Sequence, residues 1–306
     1  ILLTSNFTQN PANYMVFDID VAFPIQNNAE VEFLHYLWFS IENKTQPMRI
    51  VEVGTEGPML SNAVYDINYS IYQHGWENQM KIVDEISYPE GITTFQNILA
   101  RVASDNPDAI IVEISPPDRT TFETQLAAVP QLKGVIVVSD AWDDDPSYWG
   151  TVGQYGAYGF VVGPAFSLYS NVNNAAVAAK WDTFRAEFKA LSGTLPGDIG
   201  ACGYDLVWVS AFALEQAGST NNMAVINALN NLKLTPTLEN ILMLLHTSTP
   251  TGTVFYNSTS AGPLWHCDTL QPLGIEGFWN STSNSIYTEV VWPPQYATTS
   301  PVPPPS

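Results

Sequence analysis

The sequence is poor in positive charge. Its 306 residues carry 10 Lys plus Arg against 30 Asp plus Glu, a formal net charge of −20. A phosphate backbone or an anionic membrane surface would be repelled, and no basic patch offsets the balance, so nucleic acid is excluded as a partner. Charge of either sign is scarce, at 13% of residues, about half the usual share. Cysteine is nearly absent: Cys202 and Cys267 are either two buried thiols or one disulfide formed in an oxidising compartment. With four scattered His they make no metal-ligand spacing. No apolar run approaches the roughly 20 residues that span a bilayer, and residues 239–246 are too short. A G-x-S-x-G elbow, a Walker loop, G-x-G-x-x-G and H-E-x-x-H are all missing. The sequence therefore carries no enzymatic signature and calls for no cofactor.

What is present is enough apolar surface for a core. Hydrophobic residues make up 45% and aromatics 12%, which rules out wholesale disorder, and the length allows one large domain or two ordinary ones. Asn, Ser, Thr and Gln fill the polar positions, and N-x-S/T sequons stand at Asn6, Asn43, Asn68, Asn257 and Asn280. This style suits an extracellular surface and predicts glycosylation at those sites. The start, Ile1-Leu2-Leu3-Thr4, has neither Met nor a basic export region and reads as processed.

Periodicity then sets the class. Residues 15–23 read as a strand, 28–42 as a helix with Val31, Leu34, Leu37, Trp38 and Ile41 on one face, and 49–53 as a strand leading into Gly54-Thr55-Glu56-Gly57-Pro58. The rhythm repeats with a helix over 59–74, a strand over 81–88, a helix over 94–105, a continuous apolar strand over 108–114, a helix over 118–129 and a strand over 134–138. Alternation of this kind predicts an α/β fold of βαβ units on a parallel sheet. Residues 139–174 turn rich in Gly, Tyr, Asp and Asn, and Gly150, Gly153, Gly156 and Gly159 read as a flexible crossover. The run Asp143-Asp144-Asp145 lacks the alternation of a calcium loop and reads as solvated. Helices follow over 175–191, 203–217 and 221–231. Short β-prone runs over 252–292 make a β-rich end, and residues 297–306 read as a Pro/Thr/Ser linker or stalk.

Several segments, in order, carry a family resemblance. They are Met48-Arg49-Ile50-Val51-Glu52-Val53, Tyr88-Pro89-Glu90-Gly91-Ile92-Thr93-Thr94-Phe95, Asn106-Pro107-Asp108-Ala109, Ser139-Asp140-Ala141-Trp142, Gly203-Tyr204-Asp205 with Ala213-Leu214-Glu215-Gln216-Ala217-Gly218-Ser219-Thr220, and Gly252-Thr253-Val254-Phe255-Tyr256. From about residue 14 to 260 the chain resembles the type I periplasmic binding proteins, especially the branched-chain amino acid and amide binders. The resemblance implies an N-terminal extension over 1–13, a second-lobe α/β domain over 14–150, helices returning to a first lobe over 151–251, crossover strands over 252–296 and a linker over 297–306. It also implies that a first lobe, roughly 100–130 residues, is missing ahead of the point where this sequence starts. Either the sequence is a fragment, or another polypeptide supplies that lobe, or the returning helices pack on a second copy.

The same resemblance places a ligand between lobes, at the carboxyl ends of parallel strands. Three loops qualify. The first offers backbone N–H groups, Thr55 with its hydroxyl, Glu56, and Met59 where family members carry a stacking aromatic; it is otherwise an ordinary βα turn. The second offers Ser115 near another aromatic position, or is simply a Pro-stiffened turn with Asp118 or Thr120 capping a helix. In the third, Asp140 stands where the family places the carboxylate that pairs with a ligand ammonium, and Trp142 walls the pocket. The implied function is an extracellular solute-binding protein, tethered at the cell surface, that hands a small polar solute such as an amino acid to membrane importer subunits of the ABC type. The rival is a structural surface protein, its cleft decayed, that assembles copies of itself into a filament or layer. An extracellular sensor domain of the same fold is a third reading.

Overall fold

A computed structural model describes residues 17, 19, 21–114, 116–140, 144–234, 242, 253–254 and 271–305. Its centre is a seven-stranded sheet in the order β2-β1-β3-β4-β5-β8-β9. The strands are β1 (Met48–Thr55), β2 (Met80–Tyr88), β3 (Ala109–Glu113), β4 (Ile136–Ser139), β5 (Gly159–Val162), β8 (Gly274–Asn280) and β9 (Ser285–Trp292). Strands β1 to β5 pair in parallel; β8 adds antiparallel to β5, and β9 antiparallel to β8. A two-stranded ribbon joins β6 (Lys233–Leu234) to β7 (Thr253–Val254).

Strand β3 explains the layering. All five of its residues are buried, because helices cover both faces, as a central parallel strand requires. Ile110 and Val112 join Leu99, Val102 and Phe122 on one side. These come from α3 (Gln96–Asp105) and α4 (Pro116–Leu126). Ala109 and Ile111 join Leu34, Leu37 and Ile67 on the other. There α1 (Phe23–His35), continued by a π-helical turn over Tyr36–Ile41, packs beside α2 (Pro58–Gln73). The remaining helices are α5 (Pro146–Val152), α6 (Ala175–Ser192), α7 (Asp198–Ala217) and α8 (Asn222–Asn230). A third apolar cluster holds Trp149, Phe166, Trp181, Phe184 and Val209 together.

The strand expected over 15–23 is not present among its described residues. Ala22 is extended, Pro24 follows within the first helical turn, and Phe23 onward is helix, because Pro at that place is preorganised for a helix start. The Gly-rich stretch after residue 146 is not a loose crossover either: it forms α5, a 3₁₀ turn over Gly153–Gly156 and strand β5. Two of its glycines sit where a side chain would not fit: a Cβ on Gly156 would lie 2.7 Å from Val152 and one on Gly159 3.2 Å from Glu123; Gly277 of the neighbouring β8 is packed likewise, 2.6 Å from the Trp149 ring. The tail is seated rather than free. Thr298 N donates to Val290 O at 2.8 Å and Val302 N to Glu276 Oε2 at 2.9 Å. Among the described residues no helix is long and apolar enough to cross a membrane.

Candidate functional site

Parallel pairing brings the carboxyl ends of β1 to β5 to one rim, and the loops that leave them are the places where backbone amides and side chains are free to meet a ligand. At the end of β1 the chain turns through Gly57, whose φ of 137° favours glycine, into Pro58 at the start of α2. Glu56 is exposed and its N–H donates to Tyr88 O at 2.8 Å. Thr55 is half-buried, with Oγ1 3.5 Å from the Tyr88 hydroxyl. That hydroxyl reaches Asp118 Oδ2 at 3.4 Å, which also accepts from Gly91 N. Asp118 therefore does not cap α4 from the preceding residue; it sits inside the first turn and ties three loops together. Burial pushes the Tyr88 hydroxyl well above its usual range. The backbone of Met59 lies in the first turn of α2, while its side chain, Ser115 and Trp142 lie outside the described residues.

Asp140, just past β4, is 1% exposed. It stands beside Glu30 of α1, whose carboxyl is held well above the usual range by burial and then by the negative charges of Asp140 and Glu52. The rim thus separates the expected residues into two groups: Thr55 and Glu56 with Tyr88 and Asp118, and Asp140 with the interior of the α1 face.

A cavity of about 380 Å³ is lined by Asp144, Asp145 and Ser147, which follow β4 in the chain, and by Phe188, Leu195 and Asp198, among others. Its lining mixes acidic side chains with apolar ones. Asp144 is buried, against the expectation of a solvated run. It accepts from Trp149 Nε1 and from Leu168 N, both at 3.0 Å. Burial pushes its carboxyl up to about 6, against the lowering effect of those two donors. Asp145 caps α5, accepting from Ser147 N at 2.7 Å. Asp198 lies in the first turn of α7. Sequence reasoning missed Asp144 and Asp198. The Asp145-Pro146-Ser147 start of a helix was the available signal for the first, since a cap residue orders the loop before it. A larger cavity of about 620 Å³ lies between α3 and α4, among Gln96, Leu99, Ala103, Gln125 and Val129. It lies in the helical layer, outside the loops at the strand ends. Among the described residues no cluster of His, Cys, Asp and Glu is arranged to hold a metal ion.

The other expected positions fall as follows. Cys202 is buried in α7 and Cys267 lies outside the described residues. Asn43, Asn68 and Asn280 are exposed; Asn6 and Asn257 lie outside the described residues. His35 and His74 are packing groups that sandwich Trp76, with ring centroids 3.7 and 4.2 Å from it.

The sheet, parallel through β1 to β5 and covered by helices on both faces, is of the doubly wound α/β type. A family model described as periplasmic binding protein matches residues 48–260. The chain belongs to that family, with the type I fold, which places it outside the cytoplasm, in the periplasm or beyond. A leucine-binding protein from Thermotoga maritima superimposes with a TM-score of 0.63 at 16% identity, covering 93% of this chain and 69% of that one. A putative branched-chain amino acid ABC transporter protein from Silicibacter pomeroyi gives 0.68 at 14% identity, covering 100% and 74%. A solute-binding protein from R. palustris in complex with benzoate gives 0.64 at 16% identity, covering 89% and 64%. These structures are binding proteins rather than enzymes. No curated protein matches the chain in sequence.

Proposed function

We propose that the chain captures a small solute bearing an amino group, such as a branched-chain amino acid, and delivers it to an ABC-type membrane importer. The observation that carries this reading is the cavity of about 380 Å³, acidic through Asp144, Asp145 and Asp198 and apolar through Phe188 and Leu195. A partly desolvated carboxylate is a specific receptor for an ammonium group, and an apolar wall suits a branched side chain. Thr55, Glu56, Met59, Ser115, Asp140 and Trp142 complete the proposed rim. The apolar face of α7, with Ile199, Leu206 and Val207 each exposed, is proposed to receive the first lobe that closes the cleft. A pairing of Cys202 with Cys267 and glycans at the sequons belong to the same extracellular proposal. No likeness favours the filament reading.

The test is a thermal-shift panel of amino acids, other amines and aromatic carboxylates on the full chain. A bound amino acid at a hundredfold its Kd stabilises by about 2.7 kcal/mol. Asp198→Asn is expected to reduce that ligand-induced shift while the unliganded melting temperature changes little. A panel in which no amine shifts the melting temperature, or in which only a carboxylate without an amine does, overturns the reading.

A further inference from the structure

The hairpin β8–β9 ends in a turn over 281–284. Asn280, the last residue of β8, opens the sequon Asn280-Ser281-Thr282. A glycosylation pattern therefore stands on a surface turn, where such a pattern can be reached. Asn280 Oδ1 accepts from Thr282 N at 2.9 Å and from Ser283 N at 3.1 Å. The carbonyl end of the side chain is thus committed to the turn, while Nδ2, the atom that carries a glycan, lies outside those two bonds. Every residue from Asn280 to Ser285 is exposed, Thr282 included.

The other described sequons are less open. Asn68 lies inside α2, its Nδ2 donates to Val64 O at 2.9 Å, and Ser70, the hydroxyl residue of its sequon, is 5% exposed. Asn43 Nδ2 donates to Ile41 O at 3.3 Å.

The neighbours of Asn280 also differ from those of an ordinary turn residue. The ladder pairs Phe278 with Tyr287 and Asn280 with Ser285. Side chains two apart on a strand share a face, about 7 Å from each other. Asn280 therefore stands one rung beyond the Phe278–Tyr287 pair and on its face. The two rings are stacked, with centroids 5.5 Å apart and planes inclined at 22°. Phe278 is half-buried against the apolar cluster that includes Phe33 and Trp292, whereas Tyr287 is 43% exposed. The outer end of that cluster thus leaves aromatic surface in water. No charged residue falls between Gly277 and Tyr287, in a chain of net charge −20. A pyranose ring presents C–H bonds on its faces and hydroxyls at its rim. It matches aromatic surface flanked by Ser and Thr, and covering that surface removes apolar area from water.

We propose that Asn280 is glycosylated and that the first sugar packs on the Phe278–Tyr287 pair, pinning the open end of the hairpin β8–β9. This deepens the glycan part of the proposed function and rests on it. The transfer draws on a lipid-phosphate-linked oligosaccharide. The bond from sugar C1 to the phosphate oxygen breaks, C1 bonds to Asn280 Nδ2, Nδ2 gives up one proton to solvent, and the lipid phosphate leaves. Nδ2 keeps its second proton and Oδ1 its two donors, so the turn survives the modification.

The experiment uses the full chain isolated from its own cells and Thr282→Ala made in the same cells. The variant loses the sequon but keeps Asn280 and the N–H of residue 282. Glycopeptide mass spectrometry is expected to find a glycan on Asn280 of the wild type and none on Asn280 of the variant. Amide exchange of the hairpin is expected to be slower in the glycosylated chain by up to about fivefold, the size of a good cross-strand pair. The two chains are expected to exchange alike when both are made in cells without N-glycosylation. Nuclear Overhauser contacts are expected between first-sugar protons and the Tyr287 ring, and Tyr287→Ala is expected to abolish the effect of the glycan on exchange. An unmodified Asn280 overturns the inference. With glycans on other sequons it falls alone; with none, the glycan part of the proposed function falls too, while the amine panel still tests solute binding. A glycan on Asn280 without ring contacts, or without an effect on exchange, also overturns it, and the ring contacts can be read if the variants fail to fold.

Discussion

Asp144 illustrates how much a single buried carboxylate organises. It joins the Trp149 indole to the backbone of Leu168 and so fixes the cavity wall next to Asp145. Asp144→Asn keeps the shape but replaces one acceptor oxygen with a carboxamide NH2, which is itself a donor, leaving one of the two donors unmatched. The expected cost is about 1–3 kcal/mol, read by urea denaturation near neutral pH. Its pKa is raised from 3.8 to about 6, so the folded state prefers the protonated form and stability falls as the pH climbs between those values. The variant is expected to flatten that part of the pH profile. Asp144 was not legible as a buried residue, because a run of three acids has the composition of a solvated turn and the donors that enclose it come from positions 5 and 24 residues away.

Among the elements, α6 shows local control of structure. Asn174 Oδ1 accepts from Ala176 N at 3.2 Å and Val177 N at 3.3 Å, and Gly193 closes the helix in the left-handed conformation, so both ends are set by residues outside it. Asn174→Ala is expected to cost about 1 kcal/mol by thermal or chemical denaturation, with the apolar cluster of Trp181 and Phe184 intact. Helices and strands of this kind, with regular periods and clear stops, stand close to their expected bounds: 175–191 became Ala175–Ser192 and 81–88 became Met80–Tyr88. The start of α1 was harder to read. Buried Gln26, Asn27 and Glu30 interrupt its apolar face, and their burial follows from where the helix crosses the sheet.

For the whole molecule, the C-terminal strands and tail close what the βα units begin. The hairpin β8–β9 extends the sheet beyond β5, and the residues after it return along its edge. Thr298 Oγ1 donates to Glu289 at 2.7 Å, and Val302 N supplies Glu276 with its hydrogen bond. Deleting residues 298–306 removes these bonds and leaves a fully buried Glu276 without that donor. The deletion is expected to destabilise by about 1–3 kcal/mol and to lower the melting temperature by several degrees, on the order of 2–4 °C per kcal/mol for a chain of this size or somewhat smaller. An unchanged melting temperature would mean that the tail is a passive stalk. Pro-rich composition alone gave no sign of this seat, since the partners of the tail lie on strands whose pairing is a tertiary matter.

The order of secondary elements from β1 to β4, the parallel α/β class and the family were determined by sequence, because periodicity of 2 and 3.6 and the βα rhythm are local properties. The sheet order, the burial of Asp140 among Glu30, Glu52 and Glu113, and the acidic cavity of Asp144, Asp145 and Asp198 were decided by tertiary structure. A carboxylate reads as polar wherever it stands in a chain; only the packing of other elements around it removes the water and turns it into a buried, proton-binding group.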